Sequence, residues 1–215
     1  MNAELSKNIT LIEDYYWPTK SLSTFEATKE TLNMINGLNP FIKNKNVMVQ
    51  AGGNCGMTLR PFISIFNTIY TFEPDPINFK CLCLNVPEDN VIKIQSCVGK
   101  DHELVKMDFV GNDQGSGHII GSGNIPTFKI DDLNLNECDL IMLDIEGFEL
   151  NALKGAIKTI EKYKPVLCIE YYEPWLNRYG YSLNDIYNFM QSYNYKLASN
   201  YRTSYSIDLI FINEG

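Results

Sequence analysis

Histidine is scarce, with two in 215 residues, and the six cysteines (Cys55, Cys81, Cys83, Cys97, Cys138 and Cys168) contain no Cys-x-x-Cys pair. No zinc centre of clustered thiolates and imidazoles is therefore expected. The cysteines fall mainly in apolar, strand- or helix-like surroundings, which suits buried, reduced thiols in a cytosolic protein. No apolar run approaches the roughly 18 residues that suggest a membrane span, and Met1–Thr10 lacks the apolar stretch of a secretory signal. A cytoplasmic location is expected, the host cytoplasm if the source is viral. Lys and Arg form no dense run and the net charge is −8. Long-range attraction to nucleic acid or to an anionic membrane is not expected on that balance, so neither is counted as a partner. Gly-x-Gly-x-x-Gly is missing, as is the Lys-Ser/Thr ending of a P-loop. No internal repeat or interdomain linker is visible, so residues 1–215 are expected to form one domain, an N-terminal arm over 1–23 and a core over 24–215.

What is present centres on Val47–Thr58, Val-Met-Val-Gln-Ala-Gly-Gly-Asn-Cys-Gly-Met-Thr. A β-prone run enters three glycines, Gly52, Gly53 and Gly56, and a stretch that can be helical follows. A buried strand, a glycine turn and a helix make a cradle for a nucleotide-type ligand, because glycine permits tight turning and close backbone approach. Glu73 follows the glycines at about the ~20-residue interval where such folds carry the acid that accepts ribose hydroxyls.

Further along, apolar periodicity predicts helices over 24–38, 59–66, 76–86, 148–163 and 182–193. Strands are predicted over 47–50, 69–72, 91–95, 139–144 and 165–170. Two more, 195–199 and 206–212, are joined by a short link and should pair antiparallel. The alternation predicts an α/β fold, a mostly parallel seven-stranded sheet with a C-terminal antiparallel hairpin and helices on both faces. Residues 102–109 read as an edge strand or loop. Gly111–Gly123, with its repeated glycines, is either a mobile lid or a hairpin turn. Tyr15-Tyr16-Trp17 belongs either to an arm packed on the domain or to a wall of the ligand site.

Ligands of an open α/β sheet sit beyond the carboxyl ends of its strands. Those ends carry Glu73, then Asp144 and Glu146, then Glu170, so three of them set carboxylates around one crevice. Mutual repulsion there should raise pKa values, as a proton acceptor near neutrality requires. Glu149 opens a helix and is expected to act as a favourable first-turn acid, while Asp131 and Asp139 read as turn residues. His118 is either an alternative base or a solvated loop residue. Asp144 and Glu146 suit a divalent ion chemically, but two carboxylates make a weak site and no metal is predicted.

These residues resemble the FkbM-type methyltransferases. The likeness rests on Gly52-x-Asn54-x-Gly56, on Phe72-Glu73-Pro74-Asp75-Pro76 with Asn78, Leu82 and Asn85, and on Ile130-Asp131-Asp132-Leu133. Leu143-Asp144-Ile145-Glu146-Gly147-Phe148-Glu149, Leu153-x-Gly155-Ala156 and Pro165 to Ile169-Glu170 complete it. The Gln50–Asn54 string is similar to a phage-associated branch. Two positions depart from the family's pattern: Gln50 stands where Asp is usual, and Met142 where Lys is usual. The resemblance implies a Rossmann-like class I methyltransferase fold, S-adenosyl-L-methionine as cofactor, and O-methylation of a sugar, glycan or small-molecule hydroxyl. It further implies that Glu73, with Pro74 beside it, binds ribose, and that Gln50, Gly52, Gly53, Asn54 and Gly56 surround the methionine half. Cys97 and Val98 would meet adenine. Asp144, at the edge of the cofactor, with Glu146 and Glu170, would bind and deprotonate the acceptor. A nicotinamide-dependent oxidoreductase and a non-catalytic cofactor-binding scaffold are the competing functions, and both monomer and homodimer stay open.

Overall fold

A computed structural model describes residues 5–111 and 113–215. In chain order it begins with α1 (Leu5–Asn8), β1 (Ile9–Ile12), β2 (Tyr15–Pro18), α2 (Leu22–Glu30) and α3 (Leu32–Leu38). Then follow β3 (Val47–Ala51), α4 (Arg60–Ile63), β4 (Thr68–Phe72), α5 (Pro76–Asn85) and β5 (Val91–Ile94). The middle holds β6 (Cys97–Val98), β7 (Leu104–Val110), β8 (Asp113–Ser122) and β9 (Ile125–Phe128). Next come β10 (Leu140–Leu143), α6 (Glu149–Lys154), α7 (Ile157–Tyr163) and β11 (Val166–Tyr171). The chain closes with α8 (Glu173–Arg178), α9 (Leu183–Ser192), β12 (Tyr195–Arg202) and β13 (Ile207–Asn213).

Seven strands form the main sheet in the order β12-β13-β11-β10-β3-β4-β5. β11, β10, β3, β4 and β5 run parallel, whereas β13 is antiparallel to both β11 and β12. Parallel strands covered on both faces are apolar on both faces, and β10 is buried along its whole length. Alternate residues of β3 feed opposite layers: Val49 and Ala51 enter one apolar cluster and Met48 the other. Asp139 anchors the lower end of the sheet, its carboxylate accepting from the amides of Asn46 at 2.7 Å and Val47 at 3.1 Å.

Several elements differ from expectation. The helix predicted over 24–38 starts at Leu22 and breaks at Thr31. The Thr28 hydroxyl bonds back to the Thr24 carbonyl and the Thr31 hydroxyl to that of Thr28, and such back-bonding bends helices. The helix predicted over 148–163 is two, α6 and α7, parted at Gly155-Ala156. A Cβ on Gly155 would lie 2.1 Å from the Gly99 carbonyl oxygen, so a loop of the second sheet presses against this break. Asp131 caps α7 from outside, accepting from the amides of Lys158 and Thr159. The helix over 59–66 shrinks to α4, because turns continue the glycine loop up to Leu59. α5 begins as anticipated: Asp75 accepts from Ile77 and Asn78 amides and Pro76 fills the first turn.

A second sheet, ordered β6-β9-β7-β8, was not foreseen. Gly111–Gly123 supplies its β8 strand, antiparallel to β7, where a lid or a hairpin turn between strands was expected. The Tyr179 hydroxyl accepts from the Ile119 amide and donates to the Ile119 carbonyl, both at 3.0 Å, tying β8 to the end of α8. The aromatic arm packs on the domain. Trp17 is buried with Phe25, Met57 and Cys81, and the Asn85 amide bonds the Tyr16 backbone at both ends.

Candidate active site

The carboxyl ends of β3 and β10 meet at the glycine loop. Gly52 (φ +88°) lies so close to the β10 end that a Cβ there would stand 1.9 Å from the Asp144 carbonyl oxygen. Its amide and that of Gly53 both donate to the Phe72 carbonyl, at 3.1 and 2.8 Å. The loop is thereby locked to the ends of both neighbouring strands. Asn54, itself left-handed at φ +44°, turns its amide onto Glu73 Oε2 at 2.7 Å. Glu73 Oε1 accepts from the Asp75 amide at 2.8 Å. Glu73 is only 5% exposed. Burial outweighs the two amides and pushes its carboxyl up to about 8.

A cavity of about 410 Å³ opens above these strand ends. Its floor holds Gly52, Asn54, Glu73, Pro74, Cys97, Val98, Asp144, Glu146 and Glu170. Thr24, Ala27, Thr28 and Thr31 of the broken N-terminal helix form one wall. Gly115 to Gly117 and Ile119 of β8 form another, and Trp175 of α8 with the β12–β13 turn, Thr203 to Ser206, contributes a third. A cavity of this size falls in the ~300–1,000 Å³ range of small-molecule sites.

At the far end the acids converge. Asp144 and Glu170 share a side-chain hydrogen bond. Burial first, and the Asp144 charge second, push Glu170 well above the usual carboxylate range. Burial raises Asp144 as well, while its bond from Glu170 works in the opposite direction. Glu146 sits in the turn at φ +62°, a left-handed conformation uncommon outside glycine. Glu149 Oε1 holds that turn by accepting from the amides of Ile145 at 2.9 Å and Gly147 at 3.1 Å. A Cβ on Gly147 would strike the Trp175 backbone at 2.4 Å, so the turn also carries α8 against the site. Glu149 acts as the structural acid anticipated for it, and burial raises it to about 7.

Most of the residues named from sequence reach the cavity, but three do not line it: Gln50, Gly53 and Gly56. Gln50 points into the core. Its Nε2 donates to Thr58 at 3.1 Å, and its Oε1 accepts from Thr71 at 2.9 Å. Gly53 and Gly56 face α5 and β4; a Cβ on Gly56 would meet Val86 and Leu82. They shape the loop without presenting atoms to a ligand. Burial pushes the Cys97 thiol up to about 12, so it packs and does not react. His118 is on β8 outside the cavity lining, with Nδ1 3.1 Å from the Ser116 carbonyl. Sequence reasoning missed Ser96, which lines the cavity with a buried hydroxyl oxygen lacking a hydrogen-bond partner among the described residues. It also missed Asp208, the register partner of Glu170 on β13. The signal for Asp208 was a lone acid in the apolar run Ile207–Ile212.

A mostly parallel seven-strand sheet with one reversed strand near its edge, a glycine loop after its first strand and an acid after its second define the class I methyltransferase α/β fold. The solved structures agree. A methyltransferase FkbM from Methylobacillus flagellatus KT superposes with a TM-score of 0.60 at 22% identity, covering 97% of this chain and 57% of that one. This chain thus spans little more than half of that protein's length. Magnesium protoporphyrin IX methyltransferase (ChlM) from Synechocystis PCC 6803, solved with bound SAM, gives 0.54 at 12% identity over 88% of this chain and 81% of its own. The N-methyltransferase NodS from Bradyrhizobium japonicum WM9 gives 0.54 at 9% identity over 90% and 99%. These likenesses establish the fold. No curated protein sequence matches the chain. Residues 65–197 match the methyltransferase FkbM domain, and the chain belongs to that family. The match takes in Glu73, Asp144, Glu146 and Glu170 and starts beyond the glycine loop.

Proposed function

We propose that this protein is an S-adenosylmethionine-dependent O-methyltransferase acting on a hydroxyl of a sugar, glycan or small molecule. The observation that carries this is the pairing, in one cavity, of a buried acid at the end of β4 with converging acids at the ends of β10 and β11. S-adenosylmethionine is the cofactor, and it supplies an activated methyl group on a sulfonium. The residues fit it. Glu73, which lines the cavity and has no cation partner among the described residues, accepts the ribose hydroxyls in its ionised form. Gly52, which lacks a side chain, and Asn54 form the wall for the methionine half. Ser96 Oγ, buried and unpartnered, offers the base a hydrogen bond beside Cys97 and Val98.

At the acid end, Asp144 orients the acceptor hydroxyl and takes its proton as the oxygen–methyl bond forms. Glu170 supports Asp144 from the adjacent strand, and Glu146 positions the acceptor from the strained turn. Alignment supplies most of the rate enhancement, because the methyl donor is already electrophilic. The phage-associated branch rests on the Gln50–Asn54 string alone. Calorimetry with S-adenosylhomocysteine tests the cofactor assignment: Glu73→Ala should weaken binding at least tenfold, and unchanged affinity refutes it. Methyl transfer to a panel of sugar and small-molecule hydroxyls tests the reaction. Asp144→Asn should retain cofactor binding and lose turnover by about 100-fold or more, and full turnover by that variant removes Asp144 as the base.

A further inference from the structure

We propose that Asp144, Glu146 and Glu170 form a binding site for one hard divalent cation, Ca²⁺ or Mg²⁺. The inference goes beyond methyl transfer and does not depend on it. One carboxylate oxygen from each residue lies within 4.8 Å of the other two. Ligands on opposite sides of an ion bound at ~2.3–2.6 Å are about 5 Å apart, so one ion reaches all three. The three acids arrive from separate places: the end of β10, the left-handed turn after it, and β11. All three line the cavity, so coordination positions beyond theirs open onto it.

The second line of support comes from behind the cluster. Asp208 is 6% exposed, and its Oδ2 has no hydrogen-bond partner among the described residues. It is directly opposite Glu170 across the antiparallel β11–β13 seam, so both side chains project from the same face of the sheet. Glu149 is 0% exposed, and its Oε2 is likewise unpartnered. Asp144, Glu149, Glu170 and Asp208 make no ion pair among the described residues. Carboxylates gathered out of water need a compensating positive charge, whether protons or a cation. An all-oxygen, all-anionic set selects a hard divalent ion over zinc or copper.

The test is calorimetric titration of CaCl₂ and, separately, MgCl₂ into the full chain without cofactor or acceptor. Terbium luminescence, sensitised by Trp175 in the cavity wall, provides a second readout. One saturable site is expected, with a Kd on the order of 10⁻⁴–10⁻³ M. At ten times that Kd the thermal midpoint should rise by roughly 3–6 °C. Glu170→Gln and Glu146→Gln should each weaken binding at least tenfold, while the remote, exposed Glu88→Gln should not change it. Circular dichroism checks that each variant folds, and Glu146→Gln carries the comparison should Glu170→Gln unfold. No saturable binding by the folded wild type up to ~10 mM of either salt, an order above the weakest such sites, overturns the proposal. Undiminished binding by a folded Glu146→Gln or Glu170→Gln variant does so too. Because neither cofactor nor acceptor is present, either failure leaves the methyl-transfer assignment standing.

Discussion

Gln50 and Met142 are direct register partners across the β3–β10 seam. They are 1% and 4% exposed, and neither lines the cavity. They are also the two positions where the resemblance to the FkbM-type methyltransferases leads one to expect Asp and Lys. Both departures therefore fall on one neighbouring pair inside the sheet, where a neutral pair takes the place of a charged one. Gln50 satisfies its amide with Thr58 and Thr71. The substitutions remove no group from the cavity, which weakens the case for a non-catalytic scaffold. Gln50→Asp alone should lower stability by roughly 2–4 kcal/mol, because it buries an unpaired carboxylate and loses the donor to Thr58. Adding Met142→Lys should restore at least ~1 kcal/mol through pairing across the seam. A urea double-mutant cycle measures this, and additive effects would contradict it.

Glu73 predicts a pH dependence. Its carboxyl is raised from 4.5 to about 8 by burial. The folded protein then holds a proton that the unfolded chain releases. Its contribution to the stability of the unliganded protein is greatest below 4.5 and is lost as pH rises through about 8. Glu149 and Asp208, both raised to about 7, add slopes of the same sign. Urea unfolding should show Glu73→Gln with a flatter pH profile than wild type between those limits. S-adenosylhomocysteine affinity should rise over the same interval in wild type alone, since hydroxyl donors favour the ionised acceptor.

Ser96 separates stability from binding. Its hydroxyl is buried without a partner in the unliganded protein. Removing it should leave stability unchanged or raise it by up to ~1 kcal/mol. Cofactor affinity should nevertheless fall about 2–10-fold if the hydroxyl bonds the base. Thermal unfolding and calorimetry on Ser96→Ala report the two effects, and loss of stability with full affinity would contradict the assignment.

Gly52 and Gly111 share a positive φ and differ in surroundings. A Cβ at Gly52 meets the Asp144 carbonyl at 1.9 Å, whereas one at Gly111 meets nothing within 4 Å. Gly111→Ala should cost about 1–2 kcal/mol from backbone conformation alone. Gly52→Ala adds a backbone collision that must push the ends of β3 and β10 apart. It should be the more destabilising of the two and should abolish S-adenosylhomocysteine binding, as thermal unfolding and calorimetry would show.

Much of this site could be read along the chain because its cues are local. Val47–Ala51 and Leu140–Leu143 are apolar runs that end in turn-forming residues, and the acids directly follow the strands. The capping box of Ser182 with Asp185 three residues on likewise marks the start of α9. The breaks at Thr31 and Gly155 were hidden. Apolar periodicity continues through both, and the second depends on Gly99 arriving from a distant loop. α8 was missed because Glu170–Glu173 reads as a strand end, while the helix is set by packing against Gly147.

The sequence by itself determined the parallel sheet, its reversed terminal hairpin, the glycine loop and the positions of Glu73 and Asp144, since each follows from neighbours a few residues apart. Tertiary structure decided what those residues face. It turned Gln50 into the core, raised the β7–β8 hairpin as a wall, and brought Asp208 opposite Glu170 behind Asp144 and Glu146. Strand register and loop approach are long-range pairings, and no local pattern encodes which distant carboxylate a carboxylate will meet.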